Sequence, residues 1–350
     1  MLTQKQVEEI KEHLDKAQNP IFFFDNDPDG LCSFLLLQRC IGRGKGVPIR
    51  SFPELTSDYF RKIKELSSDY IFILDKPIVS KEFFKEAEQI NIPIIWIDHH
   101  YAEKNKIPEF VNYYNPIFNN PSSNEPVTYL CYQISQKKDD LWIAVVGCVS
   151  DGFVPEYYNN FEKQYPDLTL LSRSKNAFNI LFKSQTGKIA RIFSFALKDR
   201  TTNVINMLKF LIKVKSPYEI VEENTNNYSI HKRFNEINKK YIKLLERAIE
   251  EENYGKLLFF QYSGDLSISS DLANELSYKY PEKIVVVVYI TGIKANISVR
   301  GKNVREIVLK SLENIEGATG GGHKDAVGAK LKVEDVEKFR KNLNELIEKD

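Results

Sequence analysis

The sequence predicts an α/β protein with a parallel sheet covered by helices, a helical connector, and a second, smaller α/β domain. Two observations lead to this prediction. Short apolar runs alternate with helical patterns up to about Asp151, which is the rhythm of a parallel sheet with covering helices. The alternation resumes after Tyr254, whereas residues 176–251 carry helical patterns with few strand signals. We therefore expect domains at residues 1–175 and 252–350, joined by a connector at 176–251.

Individual elements follow from the local pattern. The pattern predicts a helix at residues 30–40, directly after an acidic motif, and another helix at residues 81–89, between two strands. In the C-terminal part, the pattern predicts strands at 256–262, 283–291 and 294–300, helices at 269–280 and 303–312, a glycine-rich turn, and a last charged helix from Val333. This second α/β unit has the size of a small domain.

Composition sets limits on the class of protein. With 350 residues and 42% apolar side chains, the chain can bury two ordinary cores. The net charge of +1 gives no global basic field that would attract nucleic acid. No apolar run reaches the ~18 residues of a membrane span, and Met1 to Pro20 has no leader pattern. We therefore expect a soluble, cytoplasmic protein without a membrane partner.

Four short motifs carry the chemical information. They are FFFDNDPDG (22–30), FILD (72–75), IIWIDHH (94–100) and AVVGCVSDG (144–152). Each apolar run is short and suits a buried parallel strand. Because open α/β sheets keep their sites at the carboxyl ends of the strands, we expect these four acidic ends to converge on one crevice.

Clustered carboxylates predict bound metal, because they repel one another strongly unless cations lie between them. Asp25, Asp27 and Asp29 offer three oxygen donors at a turn signalled by Pro28 and Gly30, which suits hard or borderline divalent ions. A calcium loop is disfavoured, because the twelfth position counted from Asp25 is a leucine instead of a glutamate.

The later motifs add histidines. Asp75 taken alone would be interpreted as a cap or turn residue. The other acidic strand ends favour a functional role for it. Asp98 stands next to His99 and His100, and a carboxylate in that place can orient an imidazole by accepting its N–H. A ligand role for His99 is favoured over a place in the apolar core. Asp151 is the last of the acidic ends.

The C-terminal segment GATGGGHKDAVG predicts a phosphate contact. Gly320, Gly321 and Gly322 allow backbone amides to approach an anion closely, and His323 can donate to a phosphate oxygen. Arg300, at the end of the preceding strand, can bind a phosphate in a bidentate manner. Residues 183–240 contain twelve Lys or Arg and only five Asp or Glu. This local excess of basic residues fits either a solvated helix surface or a path for a phosphate backbone.

Taken together, these motifs resemble the DHH phosphoesterase superfamily with its DHH-associated C-terminal domain. DNDPDG, the Asp75 strand end, Asp98-His99-His100, Asp151 and GGGHKDAVG carry the resemblance, which spans nearly the whole chain. The D-x-D-x-D-G spacing is most similar to the RecJ-like branch, including archaeal RecJ-like exonucleases and short-oligonucleotide nucleases. Many other members have an earlier histidine, where this chain has Phe23.

The resemblance implies a role for each matching residue. Asp25 and Asp27 would hold one metal ion, Asp29, His99 and Asp151 would hold another, and Asp75 would bridge both. His100 would face the substrate phosphate and Asp98 would steady the histidine pair, so that these two are the catalytic candidates. The implied cofactor is two Mn²⁺ ions, with Mg²⁺ as the alternative. The second domain would close over the cleft, and the implied substrate contacts are Arg300, Gly320, Gly321, Gly322, His323 and, secondarily, Ser122 and Ser123.

The function implied is that of a two-metal phosphodiesterase, similar to a 5′–3′ exonuclease. It would use a water activated between the cations to hydrolyse single-stranded DNA or RNA, or short oligonucleotides, to nucleoside 5′-monophosphates. Its partners would be nucleic acid and replication or repair proteins. Two alternatives stay open: a nanoRNA or cyclic-dinucleotide phosphodiesterase, and a non-catalytic RecJ-related replication scaffold. The GGGH turn disfavours a family II pyrophosphatase.

Overall fold

A computed structural model describes residues 1–50, 54–170, 176–251 and 255–348 of the chain. The chain divides into two compact units, Met1–Phe234 and Asn235–Asp350. The predicted domain limits at 175/176 and 251/252 fall beside segments 171–175 and 252–254, which lie outside the described residues. The three-part division therefore stays a prediction.

The elements of the first unit alternate as the sequence pattern predicts. Its strands are β1 (Pro20–Asp25), β2 (Lys45–Ile49), β3 (Glu54–Leu55), β4 (Tyr70–Leu74), β5 (Ile78–Val79), β6 (Ile94–Ile97) and β7 (Val111–Tyr114). Its helices are α1 (Gln4–Lys16), α2 (Pro28–Ile41), α3 (Arg61–Glu65), α4 (Lys81–Gln89), α5 (Val127–Ser135), α6 (Leu141–Ser150), α7 (Tyr158–Gln164), α8 (Ala177–Lys183), α9 (Gln185–Leu197), α10 (Thr201–Leu211) and α11 (Tyr218–Val221). Helix α12 (Tyr228–Glu250) contains the limit between the units.

The main sheet of the first unit is parallel throughout, in the order β2-β1-β4-β6-β7. After β1 the chain pairs β2 on one side and then places β4 on the other side. The direction of winding therefore reverses between β1 and β4, and ligand sites of open α/β sheets lie in the crevice beyond the carboxyl ends of such strands. Asp25 is the last residue of β1, and Asp75 directly follows β4.

Both faces of this sheet are apolar, which explains why its strands read as continuous hydrophobic runs. On one face, Phe23 meets Phe83 of α4 at 5.7 Å between ring centroids. On the other face, Phe24 stacks on Phe34 of α2 at 5.1 Å, and Phe22 stacks on Phe72 at 4.9 Å. The predicted parallel sheet with covering helices is confirmed.

The prediction for the fourth motif was wrong. Residues 144–152 form the end of α6 and the turn after it, and not the end of a strand. Helix α6 is buried from Leu141 to Val149, so its sequence is apolar on every face. A short, uniformly apolar run does not distinguish a buried strand from a buried helix, because the periodicity that separates them is missing.

The second unit contains one mixed sheet. Its elements are β8 (Leu257–Ser263), α13 (Ser269–Lys279), β9 (Ile284–Thr291), β10 (Lys294–Arg300), α14 (Val304–Leu312), β11 (Thr319–Gly322), β12 (Ala326–Lys332) and α15 (Val336–Ile347). The strand order is β11-β12-β10-β9-β8, with β8 and β9 parallel and the other neighbours antiparallel. Val304 and Val308 of α14 and Phe339 of α15 join the core on one face. The predicted smaller α/β unit is confirmed.

The glycine-rich segment of this unit differs from the turn that the sequence suggested. Gly320, Gly321 and Gly322 lie in β11 and pair with Ala329, Gly328 and Val327 of β12. The turn itself follows, where the backbone N–H of His323 donates to the carbonyl of Ala326 at 2.9 Å. A Cβ on Gly320 would lie 2.7 Å from Leu312 Cδ1, so a larger residue here would require the end of the Leu312 side chain on α14 to move.

In the described residues, none of the helices combines the length and the apolar character that crossing a bilayer requires.

Candidate metal centre

The first acidic motif forms the turn from β1 into α2. Asp27 is the N-cap of α2, and its Oδ1 accepts a hydrogen bond from the backbone N–H of Gly30 at 2.9 Å. Pro28 occupies the first helical turn, where its missing N–H costs nothing, and Asp29 lies in the same turn. The three aspartates are thus carried by a strand end, a cap and a helix start, as Pro28 and Gly30 led us to expect.

Gly30 permits this turn to close. A Cβ at this position would lie 2.4 Å from the carbonyl oxygen of Asp25 and 2.7 Å from its backbone nitrogen. Because both atoms belong to the backbone, no side-chain movement could relieve the overlap. The helix start therefore packs directly on the end of β1, and this packing sets the spacing between Asp25 and Asp29.

Asp29 links the motif to helix α5. Its Oδ2 accepts from the backbone N–H of Val127 at 3.0 Å, and its Oδ1 accepts from that of Thr128 at 2.7 Å. The Thr128 hydroxyl also donates to the backbone carbonyl of Asp29 at 2.9 Å. Asp29 thereby satisfies two N–H groups at the start of α5. Each carboxylate oxygen keeps a further lone pair for a ligand.

Asp75 adopts a left-handed backbone conformation with φ of 58°. Its N–H donates to the carbonyl of Ile97 at 3.0 Å, which continues the pairing of β4 with β6 for one residue. The side chain is 2% exposed, yet its Oδ1 has no hydrogen-bond partner. A buried carboxylate oxygen without a partner is costly, so such an atom in a native fold calls for an ion or another ligand.

The DHH triplet follows β6. The side chain of Asp98 is fully buried, and its Oδ1 lies 2.8 Å from Nδ1 of His100. Its Oδ2 accepts from the Tyr113 hydroxyl at 3.1 Å. Asn115 donates from Nδ2 to the backbone carbonyl of His100 and to the Tyr113 hydroxyl, both at 2.8 Å. Strand β7 and the residue after it thus supply a polar support for the triplet.

The side chains of the four motifs gather into adjoining groups. In one group, ligand atoms of Asp25, Asp27 and Asp75 all lie within 4.8 Å of one another, and in a second group those of Asp29, His99 and Asp151 do the same. Nε2 of His99 lies 3.4 Å from Oδ1 of Asp75 and 3.9 Å from Oδ2 of Asp151. Asp75 therefore belongs to the first group and lies next to His99 of the second.

The carboxyl groups influence one another's protonation. Burial, together with the charges of Asp25 and Asp29, raises the pKa of Asp27 well above its usual value. Burial and the charges of Asp29 and Asp27 likewise raise the pKa of Asp75 well above its usual value. A bound divalent cation would offset this repulsion, because it favours the charged form of each carboxyl.

In His100 the surrounding charges favour the charged form of the side chain, whereas in Asp27 and Asp75 they favour the neutral form. Burial lowers its pKa, but the charge of Asp98 and the hydrogen bond to it raise the pKa to about 9. Burial raises the pKa of Asp98, and the charge and hydrogen bond of His100 more than offset this, so that its pKa lies below the usual value. Without a metal ion, the pair is therefore an imidazolium and a carboxylate at neutral pH.

The residues present fit a divalent cation. In these two groups the donors are carboxylate oxygens and one imidazole nitrogen, a mixed set that suits Mn²⁺ or Mg²⁺ better than thiolate-seeking metals. Oδ1 of Asp75, which has no hydrogen-bond partner, lies 3.4 Å from Nε2 of His99 and so stands among the candidate ligand atoms. No thiolate joins these groups among the described residues, where all four cysteines are free.

The remaining predicted site residues belong to other segments of the chain. Ser122 and Ser123 are in a loop of the first unit, where the N–H of Ser122 donates to Oδ1 of Asn120. In the second unit, Arg300 donates from Nε to Oδ1 of Asn274 at 2.6 Å, and His323 lies at the turn between β11 and β12. Their roles as substrate contacts, like those of Gly320–Gly322, stay predictions.

Sequence reasoning missed three residues of this centre. Tyr113 and Asn115 support Asp98 and His100, and Lys76 is completely buried with Nζ 2.7 Å from Oδ1 of Asp25. A signal for Lys76 was available, because a lysine directly after a strand-end aspartate is unusual inside a buried sheet. Tyr113 lies in β7 and Asn115 directly follows it, and nothing in the local sequence pattern distinguishes these two residues from ordinary strand and turn residues.

Two protein-family models match this sequence. Residues 21–152 match the DHH family, N-terminal domain, and residues 255–349 match the DHHA1 domain. The chain belongs to the DHH family. No curated protein matches the sequence.

Solved structures show the same fold. RecJ from Thermus thermophilus in complex with Mn²⁺ has a TM-score of 0.66 at 14% identity, covering 97% of this chain and 53% of that one. This DHH chain thus spans about half the length of that RecJ. Exonuclease RecJ bound to manganese gives 0.62 at 15% identity, covering 98% and 94%. CDC45 from Entamoeba histolytica gives 0.56 at 11% identity, covering 98% of both chains.

Proposed function

We propose that this DHH protein is a metal-dependent phosphodiesterase that hydrolyses single-stranded DNA or RNA, or short oligonucleotides, to nucleoside 5′-monophosphates. One observation carries the proposal: five carboxylates and His99 converge on a switch point of the sheet, with a buried oxygen of Asp75 left without a hydrogen-bond partner. A structural role alone gives no reason to gather so many like charges in one place.

The proposed cofactor is a pair of divalent ions, preferably Mn²⁺. Asp25 and Asp27 would hold one ion, Asp29, His99 and Asp151 the other, and Asp75 would contact both. When bound, such ions polarise a phosphoryl group and lower the pKa of a water molecule, so that no protein nucleophile is needed. The resemblance to RecJ structures that contain Mn²⁺ or Mg²⁺ supports this choice.

His100 and Asp98 would act on the substrate side. As an imidazolium, His100 would donate a charge-assisted hydrogen bond to a phosphate oxygen beside the acidic cluster. Asp98 would keep that imidazole charged and oriented through the 2.8 Å contact. Tyr113 and Asn115 would hold Asp98 and the His100 backbone in place, which preorganises the site for a phosphate.

Nucleic acid is proposed as the substrate class on two grounds. The fold is that of a protein described as an exonuclease bound to manganese. The connector also has a local excess of basic residues, twelve against five between residues 183 and 240. Lysine and arginine on a helical surface would track a phosphate backbone through electrostatic contacts.

The test is a product analysis with purified protein and Mn²⁺. Labelled DNA and RNA 20-mers, a dinucleotide and a cyclic dinucleotide are offered in parallel. We expect nucleoside 5′-monophosphates from at least one linear substrate, and no product with Asp75→Asn. Asp15→Asn, an exposed carboxylate of α1 outside the centre, is the matched control and should retain activity. Intact substrates in every reaction with the wild-type protein would contradict the proposal.

The same experiment addresses two other functions. A rate on the dinucleotide or the cyclic dinucleotide far above that on the 20-mers would indicate a nanoRNA or cyclic-dinucleotide phosphodiesterase. The fold likeness to CDC45 raises a non-catalytic replication scaffold as the alternative of another class. A scaffold should keep its cellular role after Asp75→Ala, whereas an enzyme should lose it.

A further inference from the structure

A lysine side chain lies inside the acidic centre. Lys76 has a side-chain exposure of 0%, and its Nζ lies 2.7 Å from Oδ1 of Asp25, whose side chain is 19% exposed. Lysine is among the residues that proteins bury least often, because removing an ammonium from water is costly unless it is paired. This burial requires an explanation from the charges around it.

The backbone fixes Lys76 in this place. The left-handed conformation of Asp75 turns the chain directly after β4, and the carbonyl of Lys76 then accepts a hydrogen bond from Nε1 of Trp96 at 2.9 Å. Trp96 is itself buried in β6. The hydrogen bond from Trp96 fixes the backbone of Lys76, and the surrounding protein encloses its side chain. The ammonium therefore cannot reach solvent unless the turn rearranges.

The Lys76 ammonium contacts a member of one ligand group. Its Nζ pairs with Asp25, which belongs to the group of Asp25, Asp27 and Asp75. A divalent ion that used Oδ1 of Asp25 would have to share that oxygen with a positive charge 2.7 Å away. Two cations that share one carboxylate oxygen repel each other strongly in a partly buried site, so the ion would be bound less tightly.

We propose that Lys76 is a built-in cation that makes the Asp25–Asp27–Asp75 group the weaker of the two metal sites. The first ion then enters at Asp29, His99 and Asp151, and the second enters only at a higher metal concentration. Lys76 also keeps Asp25 paired while the weaker site is empty. This inference rests on the proposed metal dependence, and it adds an order of filling that the ligand set alone does not imply.

The test measures binding of Mn²⁺ by electron paramagnetic resonance of the free ion, with the whole chain and without substrate. For the wild type we expect two classes of site whose dissociation constants differ by about tenfold or more. Lys76→Met should tighten the weak class by about tenfold, the scale on which groups beside metal ligands alter affinity. The tight class should change less than about twofold, and Asp151→Asn should weaken that class specifically.

Lys85→Met serves as the matched control, because it removes an exposed lysine of α4 outside the centre. It should leave both classes as they are in the wild type. If Lys76→Met does not fold without metal, Lys76→Gln keeps a polar group in place, and the Mn²⁺-induced rise in melting temperature is measured for each variant. We expect a larger rise for both Lys76 variants than for the wild type.

Three results would overturn the inference. These are two sites of equal affinity in the wild type, unchanged constants in both Lys76 variants, and weakening of the weak class by Lys76→Met. Failure of the proposed function would look different. Two ordered Mn²⁺ sites without any hydrolysis would leave the order of filling standing, whereas a wild type that binds no Mn²⁺ would overturn both proposals.

Discussion

Nδ1 of His100 lies 2.8 Å from Oδ1 of Asp98, and Asp98 is completely enclosed by protein. This contact keeps the imidazole charged, since the pKa of His100 is raised to about 9 against the effect of burial. Asp98→Asn removes the negative charge and retains the shape. We expect kcat/KM for the preferred substrate to fall by about 10- to 100-fold, as for other groups that support a site.

A smaller change at the same contact provides the control. Tyr113→Phe removes one hydrogen bond to Asp98 and leaves its charge, so a loss below about tenfold is expected. Both variants should show the circular dichroism spectrum of the wild type. Equal activity of Asp98→Asn and wild type would show that the pair has no part in the reaction.

Asp75 should destabilise the metal-free protein. Because its pKa is raised in the folded state by burial and by Asp29 and Asp27, the folded chain holds a proton that the unfolded chain releases. Stability without metal should therefore decline as the pH rises from the ordinary aspartate pKa, about 3.9, towards the raised value. Asp75→Asn should reduce this decline and unfold at a higher urea concentration at pH 7 in EDTA.

The gain from Asp75→Asn should be on the order of 1 kcal/mol, the usual scale when strain at a functional site is relieved. Urea unfolding at several pH values in EDTA measures it. Adding Mn²⁺ should reverse the order, since the wild type binds the ion and the variant binds it poorly. A variant less stable than the wild type in EDTA at pH 7 would contradict the expected repulsion.

Gly30 should tolerate no side chain. In Gly30→Ala the new Cβ would meet the backbone of Asp25 at 2.4 Å, so α2 or the end of β1 must shift. We expect a loss of unfolding free energy of about 1–3 kcal/mol, the range for overpacking. Gly321→Ala is the control, because a Cβ there meets nothing within 4 Å. Thermal unfolding compares them, and a silent Gly30→Ala would disprove the close packing.

Arg39 should be a major structural residue of the first unit. Its Nη2 lies 2.6 Å from Oδ1 of the buried Asp140, and its Nη1 donates to the carbonyls of Leu211, Ile212 and Val214. Arg39→Met leaves a buried carboxylate unpaired, so we expect a loss of about 3–5 kcal/mol in urea unfolding. Lys16→Met, which breaks the exposed pair with Glu12, should cost less than about 0.5 kcal/mol.

Much of the fold was predictable because local pattern and burial agree. β1, β4 and β6 lie between covering helices, so their sequences are continuously apolar and end at polar residues. The turn after β1 was predictable from Pro28 and Gly30, and α4 was predicted at its observed residues. Convergence of Asp25 and Asp75 followed from one general property of parallel sheets, that the carboxyl ends of all strands lie at the same edge. Asp151 reaches the same place from the end of α6, which this property does not predict.

The parts that were missed depend on contacts distant in sequence. Helix α6 was read as a strand because its burial on every face removed the helical period. Gly320–Gly322 looked like an anion-binding turn, but pairing with β12 places them in a strand. Lys76 could be located only once the left-handed backbone of Asp75 was known, since an extended chain would have sent the side chain elsewhere.

The hydrogen bonds from Val127 and Thr128 to Asp29 join residues 98 and 99 positions apart along the chain. An ion held by Asp29 would draw on the same oxygens that close the first turn of α5. Coupling of this kind is mutual, so a cation that rigidifies Asp29 also slows the fraying of that turn. Amide hydrogen exchange at Val127 and Thr128 thus becomes a reporter of occupancy, measurable on the intact protein without any substrate at all.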